Sequence, residues 1–269
     1  MQQKTEILRA RARHRLWAAV LFLDDFTGRP IAPGMLQVRS AELPGEPVSK
    51  QDGWYLFLNY DGETLTVTAS GRFYNERTVR IHRENLDPLN PTVRVRMTPG
   101  RNYGVPAHAS CVEGTAAPDR EIRIWCSNDP RPLRLLCDYL CDGPHHGRQI
   151  RLFDPSGENL EGRSFALLRK GTEKAEIFTI CRCPEGEEGT CLLENPLRGP
   201  CKKAGASVFP VFTVRTDHTG KFFLLLPGMA VRKISCRIQA ERPDGSWQEH
   251  TAELEPGTMT RLEPFPPDV

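Results

Sequence analysis

The chain has 269 residues, of which 39% are apolar and 26% charged, and a net charge of +2. That balance belongs to a folded chain and not a disordered one, no apolar run approaches the roughly 18 residues needed to span a membrane, and the charge gives no global reason to expect nucleic acid as a partner. The 22 glycines and 23 prolines favour many turns over long helices, no heptad or Gly-X-Y period supports a coiled coil or collagen, and the length suits two domains.

Residues 1–15 form a basic arm in which Arg9, Arg11, Arg13 and Arg15 recur at every second position. In a strand they would share one face. Such an arm can touch phosphate or an acidic protein surface, or serve as a solvated lead-in to the first strand. The apolar run Leu16 to Leu23 follows it, as in a signal peptide, but Asp24, Asp25 and Phe26 stand where a small-x-small cleavage site would be. The run leads instead into a strand and turn. The expected location is the cytoplasm or a particle assembled there.

A first domain is expected over 16–98. Its opening turn is Asp25 to Ile31, where Asp bonds the turn backbone and Gly28 takes a positive φ. An aromatic strand follows the Asp52-Gly53 turn, from Trp54 to Leu58. Thr64 to Ser70 alternates strictly, and strands over 78–82 and 92–97 close the unit. Residues 99–147 are expected to connect it to a second domain. They begin with turns, contain an alternating stretch from Glu121 to Cys126, and run through Leu133 to Cys141, too short to assign to helix or strand. The segment is therefore expected to be partly ordered.

The second domain is expected over 148–265, because the pattern recurs. Ile150 to Leu160 resembles Leu21 to Ile31, with Asp154 on Asp25, Ser156 on Thr27 and Gly157 on Gly28. Thr219 to Leu225 matches Asp52 to Leu58, Lys233 to Gln239 matches Thr64 to Ser70, and strands over 251–254 and 258–262 follow. The two turns lie 25 residues apart in the first copy and 63 in the second. The excess, near 171–209, reads as a cysteine-rich inserted loop.

All nine cysteines fall between Cys111 and Cys236. An odd count cannot pair fully within one chain, so free thiols or metal ligands are favoured over a disulfide framework. Cys181, Cys183, Cys191 and Cys201 lie in the insertion and could hold Zn²⁺ as four thiolates, pair as disulfides, or remain free. Their spacing is not that of a zinc ribbon. Cys137, Cys141, His145 and His146 form a second candidate set, against a reading as buried thiols and a polar turn.

No nucleophile elbow, phosphate-binding loop, dinucleotide fingerprint or zinc-protease helix motif occurs. Asp24 and Asp25 would point to opposite faces of a strand, which suits them poorly as an acid–base pair. The acidic loop Pro184 to Gly189 lacks the ligand alternation of a calcium loop.

The opening turn Asp25 to Ile31 and the strand motif Asp52 to Phe57 resemble the transthyretin-like, carboxypeptidase-regulatory-like β-sandwich repeats, more clearly in the first copy than in the second. The resemblance implies small non-catalytic sandwiches that act as spacers, adhesion modules or docking units. The hydroxyisourate hydrolases of that group carry a histidine set and a Tyr-Arg-Gly-Ser tail, neither of which is present here. The expected fold is all-β, two antiparallel seven-stranded sandwiches joined by a partly ordered segment. The expected role is a non-enzymatic docking adaptor whose partners are other proteins of a larger assembly, such as the baseplate of a phage-tail-like or contractile-injection particle. The alternative is a ligand- or carbohydrate-binding module with a metal-stabilised cysteine-rich loop.

Overall fold

The computed structural model describes residues 14–265 except positions 131, 156, 158, 173, 185 and 230. The expected basic arm therefore lies outside the described residues, apart from His14 and Arg15. The chain is all-β, and the one helical turn among the described residues is a short 3-10 segment at Arg83–Asn85.

Seven strands make the first sandwich: β1 (Leu16–Asp24), β2 (Gln37–Ser40), β3 (Val48–Ser49), β4 (Trp54–Leu58), β5 (Thr64–Gly71), β6 (Tyr74–His82) and β7 (Thr92–Met97). One sheet has the order β3-β4-β1-β7 and the other β2-β5-β6. β1 sits between an antiparallel β4 and a parallel β7. It is buried on both faces from Trp17 to Asp24, and this accounts for the uninterrupted apolar run. Strands β4 and β5 alternate: Tyr55, Phe57, Leu65, Val67 and Ala69 turn inward to pack with Val20, Phe22, Val95 and Met97.

The rest of the chain supplies β8 (Ser110–Thr115), β9 (Glu121–Cys126), β10 (Arg134–Leu135), β11 (Gln149–Phe153), β12 (Ser164–Arg169), β13 (Glu176–Arg182), β14 (Thr190–Leu193), β15 (Ala206–Arg215), β16 (Lys221–Leu226), β17 (Ile234–Glu241), β18 (Trp247–Leu254) and β19 (Met259–Arg261). A three-stranded sheet, β16-β8-β19, packs on a nine-stranded sheet, β10-β11-β14-β13-β12-β15-β9-β17-β18.

The topology is duplicated. β8 pairs antiparallel with β16 and parallel with β19, as β1 does with β4 and β7. β17 lies antiparallel between β9 and β18, as β5 does between β2 and β6. The second copy therefore opens at β8, inside the segment 99–147 that was expected only to connect. The stretch aligned with the first opening turn, Ile150 to Leu160, belongs to β11 and the turn after it. An Asp-x-x-Gly turn forms wherever local chemistry reverses a strand, and its recurrence says nothing about which sheet receives the strand.

The insertion runs from β10 to β15 and is larger than the expected 171–209. It is not a loop. Its strands extend the large sheet and bury their own core, in which Leu135, Ile150, Leu152, Phe165, Leu167 and Ile180 meet. Apolar packing stabilises the insertion through this core.

Candidate functional site

The two halves meet at the end of β1. Asp24 ends the strand, and its Oδ1 accepts hydrogen bonds from the backbone N–H groups of Phe26 at 2.8 Å and Thr27 at 3.0 Å. Its Oδ2 accepts from the hydroxyls of Tyr103 at 2.7 Å and Tyr74 at 3.0 Å. Burial, reinforced by the Asp24 carboxylate, pushes both phenols well above the ordinary tyrosine range. Asp25 points elsewhere, though it lies past the end of β1 in the turn and not beside Asp24 on a strand as expected. Its Oδ1 lies 3.2 Å from Arg163 Nη2 and 3.4 Å from Arg96 Nη1. Phe26 and Tyr103 pack against Ala109, Cys111, Phe223 and Leu225 on the outer face of β8 and β16.

Beyond this corner the first sandwich presents its open side to the large sheet. β6 and β7 are both edge strands. On the large sheet the period-two alternation puts Arg123, Ser164, Thr179 and Thr213 on one face, together with Trp125, Ala166 and Val211. A groove of about 820 Å³ lies between that face and strands β6 and β7, within the roughly 300–1,000 Å³ typical of binding clefts.

The groove wall mixes polar and apolar surface in nearly equal parts, and its charges are organised. Arg77, half-buried, donates to the carbonyl of Arg96 at 2.6 Å. Burial lowers its pKa, and the carboxylates of Asp25, Glu121 and Glu194 oppose that shift. Arg123 pairs with Glu121 at 2.6 Å, and its guanidinium lies 3.9 Å from the centre of the Trp247 ring. Arg94 pairs with the buried Glu161, and Thr98 Oγ1 donates to the carbonyl of Thr213 at 2.8 Å. No aromatic ring other than the His82 imidazole lines the groove among the described residues.

The four insertion cysteines are only partly brought together. Cys183 and Cys191 touch, with their sulfurs 2.7 Å apart. Cys181 instead donates to the carbonyl of Leu192 at 3.3 Å, and Cys201 lies at a bridge to Tyr139. Cys137 and Cys141 are exposed, and Cys141 lies 3.9 Å from the Leu197 carbonyl. Among the described residues, no three His, Cys, Asp or Glu side chains converge as a metal site would require. The disposition of the thiols fits the disulfide or free-thiol reading better than a four-thiolate zinc centre.

The sequence reading missed Arg77, Arg94, Arg123 and Glu161. A signal for Arg94 was present in the alternation of β7, TVRVRM. Val93 and Val95 serve the sandwich core, so Arg94 and Arg96 must face something else. Among the described residues no helix is long and apolar enough to cross a membrane.

No protein-family model matches the chain, and no curated protein matches it either. Among solved structures it is similar to a DUF3823 family protein from Bacteroides ovatus, at 10% identity and a TM-score of 0.23, over 89% of this chain and 96% of that one.

Proposed function

We propose that this chain is a non-enzymatic docking adaptor in a multi-protein assembly, and that it receives an extended segment of a partner protein in the groove beside β6. One observation carries the reading: beyond Asn75, whose N–H is taken by the Thr98 carbonyl, the edge strand β6 opens on a groove walled by a second sheet. An edge strand offers main-chain donors and acceptors to an added strand, and alternate side chains of that strand would meet the groove walls. A sugar would call for stacking platforms, and among the described residues the lining offers only the His82 ring. The transthyretin-like resemblance and the saturated carboxylate at Asp24 agree with a docking role. A baseplate of a phage-tail-like or contractile-injection particle, assembled in the cytoplasm, is the kind of assembly proposed.

Native mass spectrometry of the untagged protein from its own source, followed by hydrogen exchange of the complex and the free chain, tests this. Partner masses should appear, and those amides of residues 76–82 that do not bond β5 should exchange more slowly in the complex. A lone monomer would defeat the adaptor reading. A partner that leaves those amides unprotected would defeat the groove as its seat.

A further inference from the structure

Cys183 lies one residue beyond β13, and Cys191 lies within β14, the adjacent antiparallel strand. The pairing register shifts between Ile180 and Arg182. Past that irregularity the Cys183 side chain reaches across the hairpin, and its Sγ comes within 2.7 Å of Cys191 Sγ. That lies between the ~2.05 Å of a disulfide bond and the roughly 3.5–4.0 Å of ordinary non-bonded contact. A second pair, Cys126 and Cys236, sits directly opposite on β9 and β17 with sulfurs 3.5 Å apart. Access singles out Cys183, because Cys191, like both members of the second pair, is buried. Cys183 is half-buried, beside the exposed turn at 186–188. Cys126 and Cys236 are 2% and 1% exposed within the core.

We propose that Cys183 and Cys191 are a reversible cystine site, closed by a small-molecule disulfide of the glutathione type and opened by thiols. The Cys183 thiolate attacks one sulfur of the oxidant, and the first glutathione leaves as a thiolate. Cys191 then attacks the Cys183 sulfur and displaces the second glutathione. One S–S bond forms and one breaks, and the two protons and two electrons of the protein thiols pass to two glutathiones. The contact with Cys191 and burial push the Cys183 thiol up, so little of it is thiolate at neutral pH and closure by the oxidant is slow.

The site matters because of its neighbour. The Cys183 N–H donates to Glu161 Oε1 at 2.9 Å, and Glu161 also holds Arg94 of the first sandwich. A bridge from Cys183 to Cys191 would fix the backbone that presents this anchor. The proposal stands apart from the docking reading.

The test uses the full-length chain. It is incubated with oxidised glutathione, then unfolded, alkylated and digested for mass spectrometry. Cys183 and Cys191 should emerge in one disulfide-linked peptide, with Cys126 and Cys236 alkylated, and dithiothreitol should restore both linked thiols. In Cys191→Ser, glutathione should stay trapped on Cys183. Alkylation of both Cys183 and Cys191 in the oxidised wild-type chain would overturn the proposal. So would a stable glutathione adduct on Cys183 while Cys191 is present.

Discussion

Asp24 illustrates how one side chain can be fully used. Its two oxygens accept four hydrogen bonds, about as many as an ionised carboxylate can take. Such a group is a structural clamp with no acceptor capacity left for a reacting proton. The phenols that serve it carry a pH signature. Tyr74 and Tyr103 have pKa values raised above the ordinary 10.0. A group raised on folding favours the fold while it is protonated. Its contribution is therefore complete below about pH 10 and is lost as pH climbs through the raised values. Alkaline titration followed by phenolate absorbance should show both tyrosines ionising late, together with unfolding. In Tyr103→Phe one late ionisation should vanish. Ordinary titration of both phenols near pH 10 would contradict the clamp. The sequence reading gave the turn bonds to Asp25, whereas Asp24 makes them. Turn chemistry identifies a carboxylate near a reversal, but which of two adjacent residues faces the turn depends on the register of β1 against β4 and β7, a non-local quantity.

At the level of elements, the legible features were those written in short-range pattern. The aromatic strands after Gly53 and Gly220 are β4 and β16, and the matched alternating strands are β5 and β17. Each pair occupies equivalent places in its copy. The two glycines share a left-handed backbone, with φ of +88° and +80°. Gly220 and Gly28, both left-handed, differ in surroundings, and this makes a test. A Cβ on Gly220 would run into the carbonyl of Ala116, a backbone atom of the β8–β9 turn that cannot easily retreat. Gly220→Ala should cost about 2–5 kcal/mol, the sum of left-handed strain of roughly 1–2 kcal/mol and a steric overpacking term of roughly 1–3 kcal/mol. Gly28→Ala, at φ +70° with open space around it, should cost only the strain. Chemical denaturation of the two variants measures the difference, and equal losses would mean that the β8–β9 turn yields freely. The insertion was not legible as sheet. Strands β12, β13 and β14 pair with their sequence neighbours, but β11 joins β14 and β12 joins β15 across longer stretches of chain, so a cysteine-rich stretch with several turns resembled a loop.

At the level of the whole molecule, the two copies are held together by polar groups that the apolar pattern could not announce. Arg96 is 2% exposed on β7, yet it reaches Asp25 at the corner and the carbonyl of Asn159 in the insertion. Arg163 meets the same Asp25 from β12's approach, and Arg148 Nη2 donates to Asn85 Oδ1 at 2.7 Å. A charge buried this deeply is costly unless its partners stay in place. It therefore ties the groove's geometry to the integrity of the corner, because β7 carries Arg94 along the groove wall and Arg96 beneath it. Removing Arg96 leaves Asp25 with Arg163 alone and strips the Asn159 carbonyl of a donor. Arg96→Ala should destabilise the chain by about 3–5 kcal/mol, the scale for breaking a buried pair. It should also separate the first sandwich's unfolding from that of the rest in calorimetry, where the wild-type chain should melt in one transition. A loss under about 1 kcal/mol, the worth of an exposed pair, would show that apolar packing of Phe26 and Tyr103 on β8 and β16 holds the halves by itself. In that case the groove walls would be set by packing of the sheets and not by the buried charges.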